Sequence, residues 1–203
     1  MSSREWTLMV VLAADSWKTN AELIQACHML GYIKDEDVVL DATYGKGVWW
    51  NIWRPARLVT HKGDFLDLRH PDDFFDAATF DPPYVSLGGR DTSTMNEFNE
   101  RYGLKETPKT PLLLQGLIND GLSVVSAKVR PKGIILVKCM DYISSGKFFP
   151  GTHYTLTFAI NSLNLELVDR FEHVGRPRAQ PKGRRQVHAR RNLSTLFVLR
   201  RPK

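Results

Sequence analysis

The run Phe75-Asp76-Ala77-Ala78-Thr79-Phe80 predicts a buried strand, and it leads directly into Asp81-Pro82-Pro83-Tyr84. Two consecutive prolines lack N–H groups and have a fixed φ, so the hydrogen-bond ladder of a sheet stops there. At this stop the chain presents a carboxylate, the carbonyl of Pro82 and an aromatic ring. The three groups suit a planar amine, because two acceptors can take its N–H bonds while the ring stacks on its heterocycle.

A second apolar run, Val38-Val39-Leu40-Asp41, also ends in an acid, and Thr43-Tyr44-Gly45-Lys46-Gly47 follows it. Glycines at 45 and 47 allow the backbone to turn tightly and to approach a ligand closely. We expect a short helix to begin near Gly47 and to point its first N–H groups into the same space. The pattern is not the dinucleotide fingerprint, since Trp50 occupies the position of the third glycine.

Together the two patterns resemble motif I and motif IV of the S-adenosylmethionine-dependent amino-methyltransferases, the DNA adenine-N6 and cytosine-N4 type. In that family motif I is an apolar strand, an acid and a Gly-x-Gly turn, and motif IV is the Asp-Pro-Pro-Tyr quartet. The resemblance covers roughly residues 19–200 in strand order and implies an α/β, Rossmann-like fold of the class I methyltransferases. The expected architecture is a largely parallel seven-stranded sheet with an antiparallel last strand and helices on both faces.

The resemblance also assigns roles to matching residues. The expected cofactor is S-adenosyl-L-methionine, with no metal, and motif I would hold it through Asp41, Thr43, Tyr44, Gly45 and Gly47. The expected catalytic residues are Asp81, Pro82, Pro83 and Tyr84. Asp81 and the Pro82 carbonyl would accept the two N–H bonds of the amine and localise its lone pair as the nitrogen becomes tetrahedral. Tyr84 would stack on the base, which must be flipped out of a duplex to reach this site.

The segment Gly63–Leu68 resembles the third cofactor element of the family, in which an acid holds the adenine amino group. Asp64, with Phe65 beside it, is the candidate, and a turn carrying a solvated acid is the alternative. One departure concerns the second strand, over 57–61. It ends without the acid that binds the ribose hydroxyls in the family, and only two residues separate His61 from Asp64. Another residue must therefore bind the ribose, or the cofactor is held less tightly.

Cationic residues are concentrated near the end of the chain. Residues 171–203 contain ten Lys or Arg and one acid, whereas the whole chain carries a net charge of only +6. A basic loop, 175–192, joins the last two predicted strands and has no acid. Its cations are Arg176, Arg178, Lys182, Arg184, Arg185, Arg190 and Arg191. Guanidinium groups bind phosphate oxygens in a bidentate manner, so the loop favours a nucleic-acid partner, although a solvated surface is the alternative.

The type of nucleic acid follows from motif IV. An acid in its first position favours adenine N6 in DNA, so DNA is preferred over RNA as the partner. Two alternatives stay open: an RNA methyltransferase acting on adenine N6 or guanine N2, and a binding protein on a catalytically decayed methyltransferase fold. The long polar segment 85–111 begins at the quartet, and we interpret it as a substrate-side loop.

Size and composition place few other limits on the chain. Its 203 residues are most simply one catalytic domain, residues 1–203. No apolar run approaches the length of a membrane span, and no signal peptide or membrane partner is expected. Two cysteines, Cys27 and Cys139, indicate neither a disulfide framework nor a metal site, so we expect a cytoplasmic location.

Overall fold

The computed structural model of the protein describes residues 12–13, 17–84, 92–103, 106–175, 185–189 and 192–203. Helices over these residues are α1 (Asn20–Met29), α2 (Thr92–Tyr102), α3 (Pro111–Lys128) and α4 (Gly151–Asn161). The strands are β1 (Val38–Asp41), β2 (Arg57–Thr60), β3 (Phe75–Phe80), β4 (Val129–Cys139), β5 (Tyr142–Ser144), β6 (Lys147–Phe149), β7 (Glu166–Val174) and β8 (Leu193–Arg200). A single 3-10 turn, Val48–Trp50, follows the glycine turn.

Six of the strands form one mixed sheet in the order β2-β1-β3-β4-β8-β7, and β5 pairs only with β6. Strands β2, β1, β3 and β4 are parallel, whereas β8 lies antiparallel to both β4 and β7. After β1 the chain adds β2 on one side of it, and then β3 and β4 on the other side. The direction in which strands are added to the sheet therefore reverses between β1 and β3. The carboxyl ends of parallel strands at such a reversal border a crevice, which is the usual ligand site of an open α/β sheet.

The described residues give a main sheet of six strands, not the seven that the resemblance implied. The segment 63–68, which resembles the third cofactor element of the family, forms a turn and adds no strand to this sheet. Asp64 accepts hydrogen bonds from Leu66 N through Oδ1 and from Asp67 N through its carbonyl, both at 2.9 Å. These local bonds use the N–H groups of Leu66 and Asp67, which a strand would donate to its neighbour. The segment therefore does not pair with a strand of the sheet.

Helices cover both faces of the sheet. On one face Leu40, Ala78 and Phe80 belong to a buried cluster that includes residues of α3 and α4. On the other, Val39 and Ala77 pack with residues of α1 and the 3-10 turn. Successive strand residues point to opposite faces, so strands buried on both sides are continuously apolar rather than alternating. The central strands therefore hold the carboxyl edge of the sheet in a fixed position.

Two helices begin where the sequence provides caps. Thr19 Oγ1 accepts a hydrogen bond from Glu22 N at 3.2 Å, as expected for the capping box at the start of α1. Thr110 Oγ1 caps α3 in the same way, and Pro111 occupies the first helical position, where a missing N–H costs nothing.

Two elements differ from the sequence interpretation. The segment 85–111, expected to be a loop, contains helix α2, and residues 85–91 and 104–105 lie outside the described residues. The hairpin β5–β6 was not predicted, because three-residue strands are too short to show a period. Ser145 and Gly146 at its turn both have positive φ, which a tight two-residue hairpin requires. Across the described chain no helix has the length and apolar character needed to cross a bilayer.

Candidate active site

Asp41 and Asp81 lie side by side at the carboxyl edge of the sheet. Asp41 ends β1 in register with Thr79 of β3, and Asp81 is the first residue after β3 ends at Phe80. A hydrogen bond from Asp81 N to Thr43 Oγ1, 2.7 Å long, joins the two strand ends. Asp41 and Asp81 are 40 residues apart in sequence, and the sheet brings the glycine turn and the Asp-Pro-Pro-Tyr quartet together.

A cavity of about 790 Å³ opens above this edge. It lies within the size range of sites that hold small molecules and cofactors. Its lining residues come from the glycine turn, the end of β2, the quartet and helix α2: Asp41, Thr43, Tyr44, Gly45, Lys46, Val48, Trp49, His61, Lys62, Gly63, Asp81, Glu97, Glu100 and Tyr102.

The carboxylate of Asp41 organises the glycine turn from below. It is 4% exposed, and its oxygens accept hydrogen bonds from Trp50 Nε1 at 2.6 Å and Thr43 N at 3.1 Å. Burial raises the pKa of Asp41, while the two donors act in the opposite direction. Because both oxygens are engaged with protein, Asp41 acts on the cavity mainly by fixing the shape of the turn.

Glycines 45 and 47 take positive φ values of 51° and 68°. A Cβ on Gly47 would lie 2.5 Å from the hydroxyl oxygen of Tyr44 and 2.6 Å from its ring, closer than any side chain tolerates. Lys62 Nζ lies 5.4 Å from the centre of the same ring. The sequence predicts that this turn must approach another group closely, without Cβ atoms in the way. At Gly47 the group that a Cβ would clash with is the ring of Tyr44.

Asp81 carries an unusual carboxylate. Its Oδ1 is buried and has no hydrogen-bond partner among the residues that the structure describes. Burial raises the pKa of Asp81 to about 6, and the positive charge of Lys138 partly opposes this rise. A buried acceptor without a donor is costly, and native proteins retain few of them. The position suits a ligand that brings an N–H group.

Lys138 supplies a positive charge that acts on the Asp81 carboxylate. It lies near the carboxyl end of β4, is 3% exposed, and its ammonium contacts Asn20 Oδ1. Its Nζ is 6.0 Å from the ring centre of Trp49, a lining residue of the cavity. Burial lowers the pKa of Lys138, whereas the charge of Asp81 raises it.

The other three residues of the quartet are not among the lining residues of the large cavity. Pro82 and Pro83 are buried, and Tyr84 is partly buried against the apolar cluster under α3 and α4. Tyr84 lines a narrow cleft with Cys139, Met140, Tyr142, Phe149 and residues of α3 and α4, not the large cavity. Burial also raises the pKa of the Tyr84 hydroxyl.

Two expected cofactor residues lie outside the cavity lining. Phe65 is fully buried, its ring centre 5.2 Å from that of Phe80 in an edge-on arrangement. Asp64 turns its Oδ1 to Leu66 N, and the backbone at Gly63 and His61 faces the cavity instead. The alternation of polar and apolar residues in this segment did not reveal which of them point inward, because the segment is a turn.

Helix α2 supplies the lining residues that sequence reasoning missed. Glu97, Glu100 and Tyr102 border the cavity, although their segment was interpreted only as a loop. Gly103 fixes the end of α2, since a Cβ there would overlap the backbone of Gly63 and Asp64. Glu97 and Glu100 line the same cavity as His61 and Lys62, which stand at the end of β2 where the family carries an acid.

Little of the basic loop is described. Arg185 is exposed, and the other six predicted phosphate-binding residues lie outside the described residues: Arg176, Arg178, Lys182, Arg184, Arg190 and Arg191. The described part, residues 185–189, contacts the hairpin β5–β6, because His188 Nε2 donates a hydrogen bond to the Gly146 carbonyl at 2.7 Å. Within the described chain, no group of three or more His, Cys, Asp or Glu residues is placed to hold a metal ion.

Solved structures share this fold at low sequence identity. A candidate methyltransferase from Bacillus halodurans C-125 is 11% identical, with a TM-score of 0.52 over 91% of this chain and 99% of its own. The [4+2]-cyclase SpnF is 13% identical, with a TM-score of 0.50 over 90% of this chain and 80% of its own. The protein therefore has an α/β, Rossmann-like fold of the methyltransferase type.

A DNA methyltransferase is also among the similar structures. The cytosine-N4-specific PvuII DNA methyltransferase is 16% identical, with a TM-score of 0.48 over 70% of this chain and 50% of its own. The chain thus spans about half the length of that enzyme. No protein-family model matches the sequence, and no curated protein matches it by sequence.

Proposed function

We propose that this protein transfers a methyl group from S-adenosyl-L-methionine to an exocyclic amino group of a nucleic-acid base, with adenine N6 in DNA as the preferred target. The observation that carries the proposal is Asp81. Its buried, unpartnered oxygen stands at the edge of a cavity large enough for a nucleoside cofactor, beside a glycine turn.

The residues around the cavity fit S-adenosyl-L-methionine. The lining combines aromatic rings, at Tyr44 and Trp49, with carboxylates, and such mixed lining is typical of cofactor sites. The bound cofactor would supply an electrophilic methyl group. Glu97 and Glu100 of α2 take the place of the missing second-strand acid and bind the ribose hydroxyls.

Asp81 would act on the target amine. In its ionised form it accepts an N–H bond, and the Pro82 carbonyl accepts the other, so that the nitrogen lone pair is no longer delocalised into the ring. These bonds strengthen as the nitrogen becomes positively charged, which favours the transition state over the ground state. Because Asp81 must be ionised and its pKa is about 6, activity is expected to fall as the pH drops through 6.

Lys138 would keep Asp81 ionised at neutral pH. Its positive charge opposes the effect of burial on the carboxylate. Thr43 would hold Asp81 in position through the 2.7 Å bond to its backbone N–H. Alignment of this kind accounts for a large part of the rate when two bound groups react.

The choice of DNA rests on the acid in the first position of the quartet and on the basic segment. Seven cations without an acid between 176 and 192 would give a strong, salt-dependent attraction to phosphates of either nucleic acid. Such charges carry no base information, so the target base is argued from the Asp81 site alone.

The test is transfer of a labelled methyl group from S-adenosylmethionine to unmethylated duplex DNA, single-stranded DNA and total RNA, followed by mass spectrometry of the nucleosides. Asp81→Ala is the variant, and Asp120→Ala, which removes an exposed carboxylate of α3, is the matched control. We expect N6-methyladenine in DNA, lost with Asp81→Ala and retained with Asp120→Ala.

Other outcomes separate the alternatives. Label in RNA alone replaces DNA by RNA as the substrate. Cofactor binding by calorimetry without transfer to any polymer contradicts the nucleic-acid assignment. If the protein neither binds S-adenosylmethionine nor transfers its methyl group, the remaining account is a nucleic-acid-binding module on a decayed methyltransferase fold.

A further inference from the structure

The hairpin β5–β6 stands beside the candidate active site. It begins three residues after β4 ends, at the same carboxyl edge of the sheet as Asp81. Tyr142 and Phe149 of the hairpin share a narrow cleft with Tyr84 of the quartet. Asp141 Oδ1 accepts a bond from Thr152 N at 3.0 Å, which ties the start of the hairpin to helix α4.

Three rings of this region form a continuous series, the aromatic ladder (Tyr142, Phe149 and Tyr154). The ring centre of Phe149 lies 5.2 Å from that of Tyr142 and 5.3 Å from that of Tyr154, within the range of favourable aromatic pairs. Tyr142 is buried at the inner end of the ladder, while Tyr154 is 42% exposed at the outer end. Phe148, the neighbour of Phe149, is 45% exposed. The ladder is thus a packed aromatic surface that reaches solvent.

Two exposed cations belong to the hairpin and to the segment docked on it. Lys147 is exposed on β6, and the described part of the basic loop is fastened to the hairpin turn by the His188–Gly146 hydrogen bond. Arg185, exposed, lies three residues before His188 on that same segment. The turn therefore carries rings and cations together, the combination that binds single-stranded nucleic acid.

We propose that the exposed rings Phe148 and Tyr154, with Lys147 and the docked segment 185–189, bind the nucleotides that flank the methylated base. The inference deepens the proposed function and rests on its assignment of a nucleic-acid substrate. Unpaired bases next to the flipped one would stack on the two rings, and the cations would bind their phosphates. The aromatic ladder gives the ring of Tyr154 a rigid support, so little side-chain entropy is lost when a base stacks on it.

A nucleotide strand explains this surface better than an apolar protein partner does. Stacking requires exposed ring faces, and every base offers a matching face irrespective of its sequence. Lysine and arginine at the rim would oppose docking of a basic protein and favour a polyanion. The position next to Tyr84 leads a bound strand toward Asp81 at the neighbouring strand end.

The test uses the full chain and a short fluorescein-labelled single-stranded DNA, with binding measured by fluorescence anisotropy. The variant is the double substitution Phe148→Ala with Tyr154→Ala. The matched control is Phe74→Ala, since Phe74 is also an exposed ring, 51% accessible, but precedes β3 at the opposite edge of the sheet. Tyr154→Phe keeps the ring and removes only the hydroxyl. Binding of S-adenosylmethionine by calorimetry is measured on the same preparations.

We expect the double variant to bind the DNA about tenfold more weakly, from the loss of base stacking. Phe74→Ala and Tyr154→Phe should bind as the wild type does, and Lys147→Ala should lower the slope of log Kd against log salt by about 1. Equal affinity of the double variant and the wild type overturns the inference, as does an equal loss with Phe74→Ala. If the wild type binds no S-adenosylmethionine but its DNA affinity depends on the rings, the methyltransferase proposal fails, while the assignment of this surface to nucleic-acid binding stands.

Discussion

Replacing Asp81 by asparagine should stabilise the protein at neutral and alkaline pH while abolishing methyl transfer. The carboxylate is largely desolvated, and burial raises its pKa from the ordinary value of 3.8 to about 6. A raised folded-state pKa means that the folded protein binds the proton more tightly than the unfolded chain does. The stabilising effect of that proton is complete below pH 3.8 and is lost as the pH rises through 6.

The magnitude follows from the two pKa values. In the wild type the titration of Asp81 lowers the free energy of unfolding by about 2 kcal/mol at pH 5 and by about 3 kcal/mol at pH 8, relative to a group that does not titrate. Asparagine has no such titration, and any difference in its packing is the same at both pH values. The stability advantage of Asp81→Asn should therefore grow by about 1 kcal/mol between pH 5 and pH 8.

Urea denaturation of both proteins at several pH values between 5 and 8 measures this change as the difference in free energy of unfolding. Asp120→Asn is the matched control, because it removes an exposed carboxylate on α3. A constant difference between the wild type and Asp81→Asn over this range would refute the reasoning. It would mean that Asp81 does not titrate near pH 6, and that its burial does not poise it for catalysis.

Further substitutions test the neighbours of Asp81. Lys138→Met removes the charge that lowers the pKa of Asp81, so the acidic limb of the pH–rate profile for kcat/KM should move to higher pH. An unchanged limb would show that Lys138 does not affect the ionisation of Asp81. Gly47→Ala places a Cβ against the ring of Tyr44 at a positive φ, so cofactor affinity in calorimetry should fall at least tenfold, whereas Gly116→Ala, with open space around its Cβ, should bind normally. Trp50→Phe leaves one oxygen of buried Asp41 without its 2.6 Å donor, so urea denaturation should show a loss of about 1–3 kcal/mol; no loss would contradict the structural role of Asp41.

The elements that the sequence predicts well are those with a local physical cause. Helices α1 and α3 begin at Thr19 and Thr110 because a hydroxyl and the residues after it satisfy the first N–H groups wherever the helix is placed. Strand β3 stops before Asp81 because prolines at 82 and 83 cannot donate to a ladder in any fold. Such features depend on neighbours within a few residues, so the order of letters is sufficient to predict them.

The segment 63–68 shows where local reasoning ends. Asp64 and Phe65 are adjacent to the cavity in sequence, yet Phe65 is buried beneath Phe80, and Asp64 bonds to its own turn. Which side of a turn faces a ligand depends on what packs against its other side, here Gly121 of α3, where a Cβ would meet the ring of Phe65 at 2.6 Å. No pattern within six residues carries that information.

By itself the sequence determined the type of chemistry: an acid and two prolines at the end of one strand, an acid and two glycines at the end of another. Only the tertiary structure decided how these groups meet and what surrounds them. Lys138, Glu97 and the aromatic ladder come from strands and helices far away in the chain, and the sheet gathers them at one edge. The pKa of Asp81 belongs to this second level, because it depends on burial and on Lys138, and both exist only when the strands are paired.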